Sequence, residues 1–214
     1  DRPTLDWLNK DTIKFNKILL GNPSITEELK HKASNWIFWG RQPRQLEKMR
    51  NKILDYENRI ITSIFIGKIE NEVQLKYRNN EKWEKYVELY MMHKADEEYL
   101  YNQEEYLNLL KQSKFGLCLR GFGGKCNREI ELMGLGTVPI VMSNVNMEYY
   151  NKLEENIHYF RINNEEEFKN VIENCDKNQW TIMSNNCVKW YEENCNVNGS
   201  FNTTIKIINE LENK

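Results

Sequence analysis

The sequence lacks most of the features that betray a function at first sight. Its five cysteines (118, 126, 175, 187, 195) contain no CxxC pair, and its three histidines (31, 93, 158) stand far apart with no HxxxH or HExxH spacing. A structural zinc site is thereby disfavoured, and an odd set of free thiols suits a reducing, cytoplasmic compartment. Only four prolines occur in 214 residues, and no Pro/Gly/Ser linker or internal repeat divides the chain. No apolar run approaches the roughly 20 residues that span a bilayer, so no membrane segment is expected, and no signal-like segment stands at the start. Charge of one sign is lacking too: 30 Lys and Arg against 32 Asp and Glu leave a net of −2. That balance argues against a nucleic-acid partner, so any anion recognition has to be local.

What is present suffices for a packed domain. Hydrophobic residues make up 40% and aromatics 12%, which excludes a disordered chain. The 29 Asn, with Lys and Ile also abundant, reflect the codon usage of an AT-rich genome rather than a function. Asp1 in place of an initiator Met makes a longer parent chain with further domains the expectation.

Residues 1–34 read as helical and polar, with Trp7, Leu8, Ile13 and Phe15 among the expected buried positions. Asn35–Gly40 (NWIFWG) reads as a strand and Gln45–Glu57 as a helix. A β-branched run, Ile60–Ile66, forms a second strand stopped by Gly67. Helices are expected over about 81–92 and 103–112, and Met91-Met92-His93 also sits on a helical pattern. Phe115–Leu119, Val138–Met142 and His158–Ile162 are further strands, and a helix opens near Asn127. Helices near 165–174, 179–194 and 200–213 close the chain. Short apolar strands alternating with helices predict an α/β fold, a Rossmann-like parallel sheet covered by helices on both faces. Ligands bind such sheets beyond the carboxyl ends of the strands, which singles out the loops after 66, 119 and 142.

The richest of these loops is Arg120-Gly-Phe-Gly-Gly-Lys125, between a buried strand and the helix at Asn127. Gly121, Gly123 and Gly124 let the backbone approach a ligand, and the helix start adds free N–H groups and partial positive charge. With Arg120, Lys125 and Arg128 the segment suits a diphosphate, although neither GxxxxGKS/T nor GxGxxG occurs. A tight strand–helix turn with solvated basic residues is the bland alternative. Glu131, three residues after Arg128, either anchors that arginine or accepts hydrogen bonds from sugar hydroxyls. In the loop after 66, Gly67 would let the chain turn across a nucleotide, Lys68 or Arg78 could reach a diphosphate, and Asn71 lies between them. In the loop after 142, Ser143 and Asn144 offer small polar groups to a sugar or base.

The stretch YLNLLKQSKFGLCLRG…CNREIELMGLGTVPIV resembles the donor-binding half of exostosin-type glycosyltransferases. The matching residues are Tyr106, Ser113-Lys-Phe115, Cys118, Arg120-Gly121, Arg128, Glu131, Gly136 and Val138-Pro139, with Arg59, Phe65-Ile-Gly67 and Tyr77-Arg78 upstream. The likeness covers about 59–175. It departs at Leu119, where proline is usual, and at Cys126, where a serine hydroxyl is usual. The resemblance implies a two-lobed GT-B-type enzyme that moves a sugar from a nucleoside-diphosphate sugar to a glycan or glycoprotein acceptor. It further implies that no metal is needed, and the sequence contains no DxD. Residues 59–214 would form the nucleotide-sugar domain. Residues 1–58, an N-terminal helical and strand extension, are too few for a complete second lobe. Arg120 and Arg128 would stabilise the departing diphosphate. An inverting reaction also needs a general base, for which Glu70 is the candidate carried forward. A non-catalytic nucleotide- or sugar-binding module is the alternative.

Overall fold

The computed structural model describes residues 17–21, 25, 27–78 and 80–212. The expected buried positions Trp7, Leu8, Ile13 and Phe15 lie outside these. Two parallel strands, β1 (Ile18–Leu20) and β2 (Ala33–Asn35), form a small sheet. Ile18, Leu20, Leu29 and Ala33 bury together beneath it. Of the expected 1–34 helix, the described part is strand, because the apolar run at Ile18–Leu20 pairs with β2, with one 3-10 turn at Glu27–Leu29 between the two strands. The expected strand Asn35–Gly40 ends at Asn35. The Trp36 N–H still donates to Leu20 O of β1 at 2.8 Å, but 36–40 is not strand, although Ile37 is buried and the rings of Trp36 and Trp39 meet edge to face at 4.7 Å. Helix α1 (Pro43–Met49) is shorter than the expected 45–57 and starts on a proline, whose missing N–H costs nothing there.

The main sheet has five parallel strands: β3 (Ile61–Ile69), β4 (Leu89–Lys94), β5 (Ser113–Cys118), β6 (Val138–Met142) and β7 (Phe160–Ile162). Their spatial order is β4-β3-β5-β6-β7. Between β3 and β4 lie α2 (Glu72–Tyr77) and a single turn, α3 (Asn80–Trp83). The remaining helices are α4 (Gln103–Lys111), α5 (Asn127–Gly134), α6 (Glu165–Asn174), α7 (Lys177–Asn194) and α8 (Val197–Glu212). The expected helix over 81–92 is thus corrected: its second half is edge strand β4. Trp83, Tyr86, Val87 and Tyr90 have helical spacing because one short turn and a strand both bury them on the same side. No helix among the described residues is long and apolar enough to cross a membrane.

Strand alternation sorts the core into two layers. Ile64, Ile66, Cys118 and Val141 face one side, with Leu107 and Leu110 of α4, Ile130 and Leu132 of α5 and Tyr191 of α7. Phe65, Phe115, Leu117, Val138, Ile140 and Phe160 face the other, with Trp83, Phe168 and Trp180. Helix α7 serves both layers as it passes the amino ends of β5 and β6. There Trp180 donates to the Lys114 carbonyl at 2.8 Å and Ser184 to that of Gly136 at 2.6 Å.

The same end of the sheet is tied by Arg59, 2% exposed and stacked 4.9 Å from the Trp180 ring centre. Its guanidinium donates to the carbonyls of Leu54 (3.1 Å), Lys111 (2.9 Å), Ser113 (2.7 Å) and Leu135 (2.9 Å), and to Thr137 Oγ1 (2.8 Å). One planar fork thereby joins the segment before β3 to the ends of α4 and α5 and the start of β5. Burial pushes its pKa down to about 10, still far above neutrality. Arg59→Ala strands several carbonyls and is expected to cost about 3–5 kcal/mol, the span for breaking a buried charged network. Urea unfolding measures it, and a loss below about 1 kcal/mol would show that this hub is dispensable.

Candidate functional site

A cleft of about 470 Å³ opens where β3 and β5 separate. These are the first and third strands of the main sheet, and the order reverses between them, which is where doubly wound sheets bind ligands. The separation is visible in the register. β3 pairs with β5 only from Ile61↔Ser113 to Ile64↔Gly116, whereas its pairing with β4 continues to Ile69↔Lys94. Beyond Ile64 the β5 side of β3 therefore presents carbonyls without a strand partner. Two arginines take them: Arg128 donates Nη2 to Ile66 O, and Arg78 donates Nη1 to Lys68 O at 2.7 Å.

Arg128 is placed by packing. Leu132, one turn later on α5, sits directly on Gly116, where an added Cβ would come within 2.3 Å of it. That close approach of α5 to β5 lays the Arg128 guanidinium on the Phe65 ring, 4.2 Å from its centre. Arg128 is 7% exposed and lines the cleft, yet its Nε and Nη1 have no hydrogen-bond partner. Arg78 comes from the end of α2 and also donates to the Arg120 carbonyl at 3.1 Å. It fits because residue 121 is glycine: a Cβ there would lie 3.1 Å from Arg78 Nη2 and 2.5 Å from Cys126 Sγ. Burial lowers the Arg78 pKa, and the neighbouring Arg128 charge lowers it further.

Of the residues expected at the site, the cleft gathers Gly67, Lys68, Arg78, Gly121, Gly123, Lys125, Arg128 and Glu131. Lys125 is held by the carbonyls of Gly21 and Glu148, with Nζ 4.4 Å from the Tyr149 ring centre. Burial pulls its pKa down to about 8. The other expected residues do not line the cleft. Arg120 lies with its guanidinium 6.0 Å from the Tyr77 ring centre, and its carbonyl rather than its charge supports the site. Gly124 packs against Asn146. Asn71 caps α2 by accepting the Gln74 N–H at 3.0 Å. Glu70 is 56% exposed at its side chain and faces Lys68 at 3.9 Å. Ser143 and Asn144 follow β6, where the Ser143 N–H continues the ladder to Ile162 O at 2.8 Å.

Glu131 touches the cleft but is also a structural tie. Oε1 accepts the Arg41 N–H at 2.8 Å and Oε2 the Tyr106 hydroxyl at 2.9 Å, joining the segment after β2 to α4. Each oxygen keeps a second acceptor position. Burial raises its pKa, partly offset by those two donors. Tyr106, one of the family-matching residues, also lines the cleft, whereas sequence reading missed Phe38 and the wall contributed by Tyr99, Tyr101 and Gln103. It also missed Glu129, fully buried beside Arg128, whose Oε2 accepts the Cys126 N–H at 2.7 Å while Oε1 has no partner. The only sequence signal for Glu129 is its position three residues into a helix, the reaching-back carboxylate of a capping box. Among the described residues, no three His, Cys, Asp or Glu gather as a metal site.

No family model and no curated protein matches this chain. Among solved structures it is similar to the C-terminal domain of a glycosyl transferase group 1 family protein (LpcC) from Francisella tularensis. That match has a TM-score of 0.44 and 11% identity, over 71% of this chain and 92% of the other. It is also similar to Anabaena Alr3699/HepE in complex with UDP-glucose, with a TM-score of 0.46 and 9% identity over 98% of this chain. The complex of the same protein with UDP gives 0.44 and 10%. The chain spans 54% of the length of the Anabaena protein. At such identities and scores no residue role transfers.

Burial lifts the Glu129 carboxyl to about 7, against the opposing pull of Arg128 and the Cys126 N–H. A folded-state pKa above the unfolded one stabilises the fold at low pH, and that contribution is lost as pH rises from about 4.5 to about 7. Wild type is therefore expected to lose stability relative to Glu129→Gln across that interval. Parallel unfolding midpoints at pH 5 and pH 7.5 would show that the carboxyl titrates normally.

Proposed function

We propose that this chain is the nucleotide-sugar-binding part of a glycosyltransferase, moving a sugar from a nucleoside diphosphate to an acceptor hydroxyl of a glycan or glycoprotein. The observation that carries the reading is Arg128: a guanidinium shut into the cleft wall, with Nε and Nη1 unpartnered. Buried donors on a fixed cation call for an anion that brings several acceptors. The diphosphate would lie over Gly121 and Gly123 at the amino end of α5, with Arg78 behind and Lys125 beside it. Glu131, one turn beyond Arg128, would use its remaining acceptor positions for the ribose hydroxyls. The leaving diphosphate then develops its charge against groups already oriented, so little reorganisation accompanies transfer.

An inverting reaction is part of this reading, and its base has to come from beyond the cleft wall. Glu70 is exposed, and Glu131 is the one carboxylate among the described lining residues, with both oxygens engaged. That same observation favours the second reading, a module that binds the nucleotide sugar without catalysis. Measured transfer or donor hydrolysis separates the two.

Arg128→Ala is expected to weaken binding of UDP or GDP by about 1.5–3 kcal/mol, the span for hydrogen bonds to charged groups. Titration calorimetry reads it, and an unchanged Kd removes Arg128 from the site. The leaving-group role given to fixed cations also makes activity independent of metal. Transfer or donor hydrolysis should persist in excess EDTA, and activity lost to EDTA and restored by Mn²⁺ or Mg²⁺ would refute that role.

A further inference from the structure

One side chain on the cleft wall is left unexplained by the fold. Helix α4 opens with Asn102, which accepts the Glu105 N–H at 3.0 Å, while Glu105 accepts that of Asn102 at 2.9 Å. Glu104 accepts Gln45 Nε2 at 3.2 Å. Each of these polar side chains thus has a local task. Gln103 lies among them and lines the cleft, and its Nε2 is shut off from solvent without a hydrogen-bond partner. A buried amide donor with no acceptor is a cost that folding alone does not explain, and an acceptor brought by a ligand removes it.

Position decides which part of the ligand that is. Gln103 precedes Tyr106 by one turn of α4, the Tyr106 hydroxyl is bonded to Glu131, and Glu131 follows Arg128 by one turn of α5. Arg128, Glu131, Tyr106 and Gln103 therefore mark a track along the cleft. Arg128 is the cationic end of that track, and Tyr101, two residues before Gln103, also lines the cleft. An aromatic side chain beside an unpartnered amide suits a flat ring with a hydrogen-bonding edge.

Resting on the nucleotide reading above, we infer that Gln103 is the specificity-determining residue for the nucleobase. Its Nε2 donates to the exocyclic oxygen of a keto base, uracil O4 or guanine O6, where cytosine and adenine carry an amino group. An amino base meets that same donor, and pairing with it requires the Gln103 amide to turn over so that Oε1 accepts.

Titration calorimetry of the full chain with UDP, CDP, GDP and ADP tests this. UDP should bind about tenfold or more tightly than CDP, and GDP than ADP, a difference in the range of one hydrogen bond. Gln103→Glu puts an acceptor where the donor stood and should abolish or reverse that preference. Gln103→Met should remove it while keeping the thermal midpoint. Equal or opposite preference in wild type, or a preference unchanged in Gln103→Glu, overturns the inference and leaves nucleotide binding standing. Failure of all four nucleotides to bind overturns the nucleotide reading as well.

Discussion

The site depends on how three of its cations, Arg128, Arg78 and Lys125, are held by backbone carbonyls. Arg128 is fixed to Ile66 O, Arg78 to the carbonyls of Lys68 and Arg120, and Lys125 to those of Gly21 and Glu148. The acceptors on β3 exist because that strand outruns its ladder with β5, so the guanidinium groups continue a pairing that the second strand abandons. Carbonyl dipoles satisfy donors without neutralising charge. A carboxylate in the same place would cancel most of the field an anion could use, whereas a dipole holds the cation and leaves its charge to act on the cleft. The desolvation of Arg78 and Lys125 is offset only in part, as their lowered pKa values show.

The one fully buried carboxylate near these cations fits that arrangement. Glu129 follows Arg128 directly, so helical geometry turns it away from the Ile66 side and towards the start of α5, where it takes the Cys126 N–H. With burial holding its pKa near 7, it offsets only part of the neighbouring positive charge around neutral pH. Glu131 is spent differently, as a tie between the Arg41 backbone and Tyr106. The small β1–β2 unit is thereby joined to the cleft it helps to wall. Gly40 lets the chain pass there, since a Cβ would stand 3.1 Å from Glu131 Cγ.

The sequence made the middle of this fold readable and its margins unreadable. Strand β6 has the expected bounds, because Val138–Val141 is buried on both faces and an unbroken apolar run leaves no competing period. The glycine turn into α5 was readable from composition alone. Edge strand β4 was not: with one neighbour, its side chains mimic helical spacing together with the short turn before it. Arg120 and Arg78 show the limit for the site. Both are arginines expected to reach the ligand, but only the register of β3 against β5 and the space at Gly121 decide which guanidinium enters the wall. Gln103 gave no signal at all, since an amide on a polar helix start reads as solvated until its surroundings are known.

Lys125 shows what the carbonyl-held arrangement does once a ligand arrives. Its ammonium is occupied by Gly21 O, Glu148 O and the Tyr149 ring, so it supports an anion through its field more than through a new hydrogen bond. That field acts in a partly desolvated cleft, where screening by salt is weak. With its pKa held at about 8 by burial, part of the Lys125 population is neutral in mildly alkaline solution. A diphosphate bound as proposed would favour the charged form and draw a proton onto Lys125, making ligand affinity and protonation one linked equilibrium. The same lysine anchors the chain at Gly21 beside β1 to the loop that precedes α5. On the proposed reading, its charge state would couple a bound diphosphate to the small β1–β2 unit.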